Sequence, residues 1–381
     1  MRIAIVGAGL GGPAAAALLQ AAGFDVQLYE QSASFSRIGA GIHLGPNLVR
    51  VLYRIGIGER LAAQGVNPSA WVSRQWDSGE VLLDYPLGQG AIARWGAPYL
   101  MVHRGDFHAL LIEAVKPGTL HFGKRLADLD WTGKAVKLSF EDGSRAEADI
   151  VVGADGVRSR CREILVGLEK PRYTGQVAYR AIFPMSRLAG YEYNDYTKWW
   201  ADDRIVLTYY ITADRRDMYF VTSSPQADWP HPTSSVPADM DELRAAFAGF
   251  HPEVQRVFQA CPAASKWAQY DSEPLTVWSR GRVVLLGDAC HPMTPYMGQG
   301  AAMAIEDGAM LTRCLQAAPG DPDQAIRLYE ANRKERTTAV QSSSRTNTWF
   351  KTHADPDWVF GYDVFKAPMT QRAMPASSAS A

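Results

Sequence analysis

The chain has 381 residues, 47% hydrophobic and 21% charged, with a formal net charge of −1. This is an ordinary globular composition, long enough for two domains or one large mixed one. The charge balance excludes a nucleic-acid surface, which needs a basic stripe, and no apolar run approaches the ~20 residues that span a bilayer.

RIAIV at 2–6 is a short apolar run suited to a buried parallel strand. It leads into Gly7-Ala8-Gly9-Leu10-Gly11-Gly12, then an Ala/Leu-rich helix, then a second strand, DVQLY, that ends at Glu30 and Gln31. In this pattern Gly7 permits the tight turn, Gly9 lets a pyrophosphate approach the backbone, and Gly12 lets helix and strand pack closely. The helix N-terminus then faces the phosphates. Glu30 lies eighteen residues beyond Gly12, near the ~20 expected of the acid that binds an adenosine ribose. The arrangement predicts a dinucleotide site. No second fingerprint follows, so at most one dinucleotide is held permanently.

Further along, GAGIHLGPN at 39–47 has neither helical nor strand periodicity, so His43 is not there for packing alone. With a resting pKa of about 6.5, an imidazole can take a phenolic proton near neutral pH. HRGDFHALLIEAV at 103–115 opens a helix just after Arg104, whose guanidinium fork suits a pyrophosphate. ADIVVGADGVRSRCR at 148–162 is a strand that ends around Asp155 and then begins a helix. Between 176 and 224, QVAYRAIFP, RIVLTYYIT and MYFVTSS read as antiparallel strands of a sheet. PADMDELRAAFAGF and DQAIRLYEANRKERTTAVQ are amphipathic helical patterns, the second expected to lie on the dinucleotide domain. Its charge run RKER reads as a solvated face.

Between those helices the strand RVVLLGD runs into GDACHPMTPYMGQG at 287–300, helix-hostile sequence directly ahead of the helix AAMAIEDGAMLTRCL. A plain connector could be shorter, and a buried strand would not tolerate the prolines. The stretch offers bare backbone amides and a helix N-terminus around one acid, Asp288. The four cysteines (Cys161, Cys261, Cys290 and Cys314) show no metal-ligand spacing. They read as reduced thiols of a cytoplasmic protein that binds no metal. No signal peptide precedes the first strand.

Together, G-x-G-x-x-G with Glu30, the Asp155 motif and G-D-A-x-H-P at 287–292 resemble the p-hydroxybenzoate hydroxylase family of flavin-dependent aromatic monooxygenases. The match extends to about residue 350. More narrowly, GAGIHLGPN, HRGDFHALLIEA, KWW at 198–200 and YEANRKER at 329–336 resemble 6-hydroxynicotinate 3-monooxygenases. The resemblance implies an α/β fold, a Rossmann-like FAD-binding domain interrupted by a substrate domain built on a large antiparallel sheet. The FAD-binding parts would be 1–70, 100–170 and 270–350, and the substrate domain 71–99 and 171–269. A C-terminal segment, 351–381, would end in disorder at PASSASA. FAD would be bound, NADH or NADPH and O2 consumed, and a hydroxylated aromatic or pyridine carboxylate hydroxylated, with or without loss of CO2. The enzyme would be a monomer or homodimer.

The resemblance also distributes roles. Asp288 would meet the ribityl chain, with Leu10, Gly11, Arg104 and Arg37 along the diphosphate and Asp155 near the NADH path. Pro295, Gly298 and Gly300 would keep side chains off the flavin ring. The helix from Ala301 would aim its N-terminus at the ring's pyrimidine edge, where reduced flavin is anionic; Ala302 stands where many relatives carry Asn. His43 would lie over the flavin as base for the substrate hydroxyl, with Tyr209 where the 6-hydroxynicotinate enzymes have a catalytic tyrosine. His291 would brace the 287–300 loop. Tyr196, Ile205, Tyr296 and Met297 would line the substrate pocket. The 6-hydroxynicotinate pattern places histidines at Ile205 and Tyr296 and a cysteine at Tyr196. Losing two potential cations weakens a carboxylate site, so the expected substrate shifts to another para-hydroxylated ring, benzenoid in type. Two rivals are weaker: a flavin halogenase needs W-x-W-x-I-P, which is absent, and a non-catalytic flavoprotein would not need His43 over an aromatic sheet.

Overall fold

The computed structural model describes residues 1–37, 39–167, 171–353 and 355–370, so the tail expected to be disordered lies outside the described residues. Arg2–Val6 sits inside a six-stranded sheet whose order is Ser279–Arg280, Val283–Leu285, Ile150–Gly153, Arg2–Val6, Asp25–Tyr29 and Leu120–His121. All its pairs are parallel except the first, an antiparallel hairpin at the edge. Parallel strands covered on both faces need unbroken apolar runs, and RIAIV, IVVG and VVL are such runs. The helix Gly11–Ala21 lies against the helix Gly300–Ala317, and a Cβ on Gly308 would come within 2.9 Å of the Ala15 backbone. Small residues on both helices allow that approach. The 287–300 loop is thereby brought beside the N-terminal glycine turn, although almost three hundred residues separate them in sequence.

A second, eight-stranded sheet has the order Ser235–Pro237, Ser265–Asp271, Arg172–Pro184, Asp217–Pro225, Ile205–Tyr210, Tyr196–Trp200, Ala70–Gln75 and Val81–Pro86. It is antiparallel except between Tyr196–Trp200 and Ala70–Gln75. Three of its strands, Arg172–Pro184, Ile205–Tyr210 and Asp217–Pro225, are those expected between 176 and 224, and Tyr196–Trp200 is one more that was not expected. Helices Met240–Ala246 and Pro252–Ala260 cover one face, where Phe220, Phe247 and Phe258 stack edge to face. Because side chains alternate along a strand, the register aligns Tyr196, Tyr209 and Tyr219 in one row of the opposite face. Lys198, Leu207, Val221 and Arg180 form the next row.

The long helix Pro322–Arg345 packs on Gly300–Ala317, but the RKER run is no solvated face. Arg333 is fully buried, paired with Glu306 at 2.9 Å and Asp307 at 2.7 Å, and Arg336 joins Glu306 at 2.8 Å. A three-residue spacing puts both arginines on the inward side of the helix. There they meet two carboxylates of the flavin-side helix that could not be buried unpaired.

Candidate active site

The glycine turn is built by close backbone approach. A Cβ on Gly12 would sit 1.9 Å from the Gly7 carbonyl oxygen, whereas one on Gly9 would meet nothing within 4 Å. Gly12 therefore closes the turn while Gly9 leaves a free surface. Two cavities meet here, sharing Gly9, Ala154 and Gly156. One, about 610 Å³, runs past Glu30, Gln31 and Asp155. The other, about 430 Å³, opens between the turn, the 287–300 loop and the eight-stranded sheet.

The second cavity gathers most of the predicted site. Leu10, Gly11, His43, Arg104, Asp288, Pro295, Gly298, Gly300 and Ala301 share its wall with Tyr196, Ile205, Tyr209 and Tyr296. Others lie outside it. Met297 and Ala302 are buried in the packing behind the loop. Arg37 forms a bidentate pair with Asp106, at 2.6 and 2.9 Å, on the exposed side of the helix Arg104–Glu113 and touches neither cavity wall. Asp155 accepts hydrogen bonds from the Ser159 hydroxyl and the Cys161 amide, which holds the start of the helix Arg160–Val166. Glu30 accepts from the amides of Ala8 and Ser32, both at 2.8 Å. His291 bonds to Asp307 at 2.6 Å, and Asp307 also accepts from the Gly287 amide, which fastens the loop to the helix behind it.

On the side of the glycine turn and the 287–300 loop, two charged groups lack protein partners among the described residues. The Asp288 carboxylate and the Arg104 guanidinium make no side-chain hydrogen bond to any described residue. Asp288 is open to the cavity but ringed by protein, and burial raises its pKa against the pull of His291, Arg104 and Arg162. Burial lowers that of Arg104, with Asp288 acting the other way. Charges left without protein partners in a cavity wall suit a ligand that supplies those partners. The hydroxyls of an FAD ribityl chain fit Asp288, its diphosphate fits Arg104 and the bare turn at Gly9, and its ring fits the side-chain-free surface of Gly298 and Gly300.

His43 lies in the strand Gly41–Leu44 with its ring against Gly298, where an added Cβ would fall 2.0 Å from the imidazole. Gly298 also has φ +64°, so a side chain is excluded twice over. The Tyr99 hydroxyl bonds to His43 Nδ1 at 2.5 Å, and the rings of Trp71, Tyr196 and Tyr209 surround the imidazole at 5.8–6.1 Å. Burial, and secondarily the Lys198 ammonium, lower its pKa to about 4. Tyr296 reaches from the loop to the sheet, its hydroxyl 2.9 Å from that of Ser223. The Tyr196 hydroxyl is buried without a partner.

Sequence reasoning missed three residues of this site. Tyr99 gave no signal. Arg180 sits inside a run that reads as β-sheet, and Lys198 stands only in the KWW motif at 198–200; alternation from Tyr196 could have placed it on the cavity face.

A dinucleotide fold whose cradle fits FAD, closed by an aromatic side-chain cavity with an imidazole beside the flavin loop, defines a flavoprotein monooxygenase. The chain belongs to the FAD binding domain family, which it matches over residues 1–344. It is 54% identical to 6-hydroxynicotinate 3-monooxygenase of Bordetella bronchiseptica over 372 residues, 97% of each chain. It is 50% identical to the enzyme of the same name from Pseudomonas fluorescens, over 99% of each. The structure of Klebsiella pneumoniae HpxO complexed with FAD and uric acid superposes with a TM-score of 0.80 at 28% identity, covering 94% of this chain and 90% of that one. The protein is an FAD-dependent monooxygenase that consumes NAD(P)H and O2 and acts on a small aromatic molecule. This kinship does not favour the non-hydroxylating alternatives. Among the described residues, no helix is long and apolar enough to cross a membrane.

Proposed function

We propose that the protein hydroxylates a pyridine carboxylate of the 6-hydroxynicotinate type at the ring carbon that bears the carboxylate, with release of CO2. The observation that carries this reading is the charge of the cavity wall: three cations, Arg104, Arg180 and Lys198, against one carboxylate, Asp288, among aromatic and aliphatic side chains. An enclosed wall of that kind favours a flat anion. Ile205 and Tyr296 do stand in it, but the expected shift to a benzenoid ring counted two absent histidines and overlooked two cations. The identity to two 6-hydroxynicotinate enzymes supports the pyridine ring.

In this reading Nδ1 of His43 carries the ring proton and donates it to the Tyr99 oxygen, which leaves the Nε2 lone pair to accept the proton of the substrate hydroxyl. A pKa near 4 keeps the imidazole neutral at pH 7, with a lone pair free, but also makes it a weaker base than an ordinary imidazole. Tyr209, buried with a pKa well above the usual phenol value, stays protonated and donates to the hydroxylate. Negative charge on the ring makes the para carbon nucleophilic. Bound FAD supplies the reduction by NAD(P)H and the activation of O2. Per carboxylate, one NAD(P)H, one O2 and two protons are consumed, and one dihydroxypyridine, one CO2, one water and one NAD(P)+ are formed. The same reading assigns 1–70, 100–170 and 270–350 to FAD and 71–99 with 171–269 to the substrate, in a cytoplasmic monomer or homodimer.

A panel read by NADH oxidation and product mass tests it, with 6-hydroxynicotinate, 4-hydroxybenzoate and phenols lacking a carboxylate. The highest kcat/KM is expected for 6-hydroxynicotinate, with stoichiometric 2,5-dihydroxypyridine. A higher value for a benzenoid or carboxylate-free ring overturns the substrate assignment.

A further inference from the structure

Lys198 is buried, 2% exposed, yet no carboxylate of the described residues pairs with it. Its strand, Tyr196–Trp200, is buried on both faces, and alternation directs Lys198 to the cavity side with Tyr196 and Trp200. Its Nζ lies 3.8 Å from the centroid of the Trp200 ring and makes no hydrogen bond or ion pair to any described residue. Lysine is almost never fully buried unless paired, and a neighbouring indole offsets only part of the desolvation. The other buried lysine of the sheet, Lys266, shows the usual solution, with Glu242 2.5 Å away. The cavity is the open side from which a counter-ion can reach Lys198.

We propose that Lys198 is the specificity-determining anchor for the substrate carboxylate and that, with His43, it sets which end of the ring points where. This rests on the pyridine-carboxylate reading above. Tyr196, whose ring packs edge-on against His43 with centroids 5.8 Å apart, lies two residues before Lys198 on one extended strand. That separation is about 7 Å along the strand, of the order of the distance between para substituents on a six-membered ring. A ring whose hydroxyl meets His43 and Tyr209 therefore offers a para carboxylate to Lys198. Arg180 is less suited. It occupies the same row, but Leu207 and Val221 intervene, about three strand spacings or roughly 14 Å. Its guanidinium is stacked over Trp267 at 5.2 Å.

The pairing has a consequence for the base. Lys198 is the charge that, after burial, holds His43 below its usual pKa. A carboxylate seated on Lys198 offsets that repulsion, so His43 gains basicity when a substrate with the correct anion is in place. Anionic substrates are thus selected in binding and again in proton removal.

The test compares Lys198→Met, Lys198→Arg and Arg180→Met with the wild-type holoenzyme. Dissociation constants for 6-hydroxynicotinate and its neutral carboxamide are read from the flavin absorbance change, together with KM and kcat. In Lys198→Met the carboxylate should bind about 10- to 100-fold more weakly, the range for a lost charge-assisted hydrogen bond. The carboxamide should shift less than twofold, and Lys198→Arg should recover most of the loss. The proposal is overturned if both ligands weaken alike, if the carboxylate stays within twofold, or if Arg180→Met shows the carboxylate-selective loss instead. Should Lys198→Met fail to hold FAD, the wild type decides: a carboxamide that binds below pH 7 as tightly as the carboxylate sinks the idea. If another hydroxylated carboxylate proves the better substrate, only the ring assignment above falls, and the same variants on that carboxylate still judge Lys198.

Discussion

The two walls of the central cavity are made in different ways. The flavin-side wall is mostly backbone: the glycine turn at 7–12, the loop at 287–300 and the start of the helix Gly300–Ala317. Its selectivity lies in where side chains are absent, as at Gly9 and Gly298, with Asp288 and Arg104 as isolated charges. The sheet-side wall is mostly side chain. Tyr196, Lys198, Leu207, Tyr209 and Tyr219 project from three strands whose register decides which of them meet. A common cofactor can be held by a surface that permits little variation, whereas a particular substrate requires a surface whose residues can be exchanged one at a time.

Substitutions on the two walls should therefore fail differently. The largest effect is expected for Asp288→Ala, which removes the carboxylate assigned to the ribityl chain. Purified protein should lose most of its flavin absorbance, while Cys290→Ser, behind the wall and buried, should retain it. Full FAD content in Asp288→Ala would break the contrast between the walls. His43→Ala should keep its flavin yet lower hydroxylation by roughly 10²-fold or more, the range for a lost general base. Coupled turnover near wild type would reduce His43 to a packing residue.

The pH profile gives an intermediate effect. Burial lowers the Lys198 pKa from 10.5 to about 7, so its charge is present below that pH and lost above it. His43, at about 4, is neutral above that value. The log of kcat/KM for the carboxylate, which reports the free enzyme, should then fall on the alkaline side above about 7 and on the acid side toward 4. His43, Tyr196, Tyr209 and Lys351 are titratable groups around Lys198, with Arg180 three strands away, and burial holds both tyrosines protonated through this range. In Lys198→Arg the alkaline limb should move well up, and a limb that stays at 7 assigns it to another group. The smallest change is expected for Tyr296→Phe, which breaks the link to Ser223 across the two walls. One neutral hydrogen bond, about 0.5–1.5 kcal/mol, allows a KM increase of up to roughly tenfold with flavin content unchanged. A loss of flavin would place Tyr296 on the cofactor side instead.

The amino-acid sequence by itself determined the cofactor half. Asp288 was legible only through the family resemblance, whereas the turn at Gly7, Gly9 and Gly12 and the acid Glu30 are features of local geometry, and local geometry leaves a fixed spacing in the chain. The antiparallel strands of the middle region were legible for the same reason, from alternation over a few residues. Only the tertiary structure decided the rest. Arg37 was drawn to Asp106, 69 residues away, rather than to the cavity. RKER turned inward because Glu306 and Asp307 of another helix needed cations. Tyr99 met His43 through the pairing of Leu100–His103 with Gly41–Leu44. Lys198 became an unpaired charge in a cavity because the register of the two neighbouring strands placed Leu207 and Ser73, not an acid, beside it. Which side chains share an enclosed space depends on strand order and helix packing, and these are set by contacts between residues far apart in the chain.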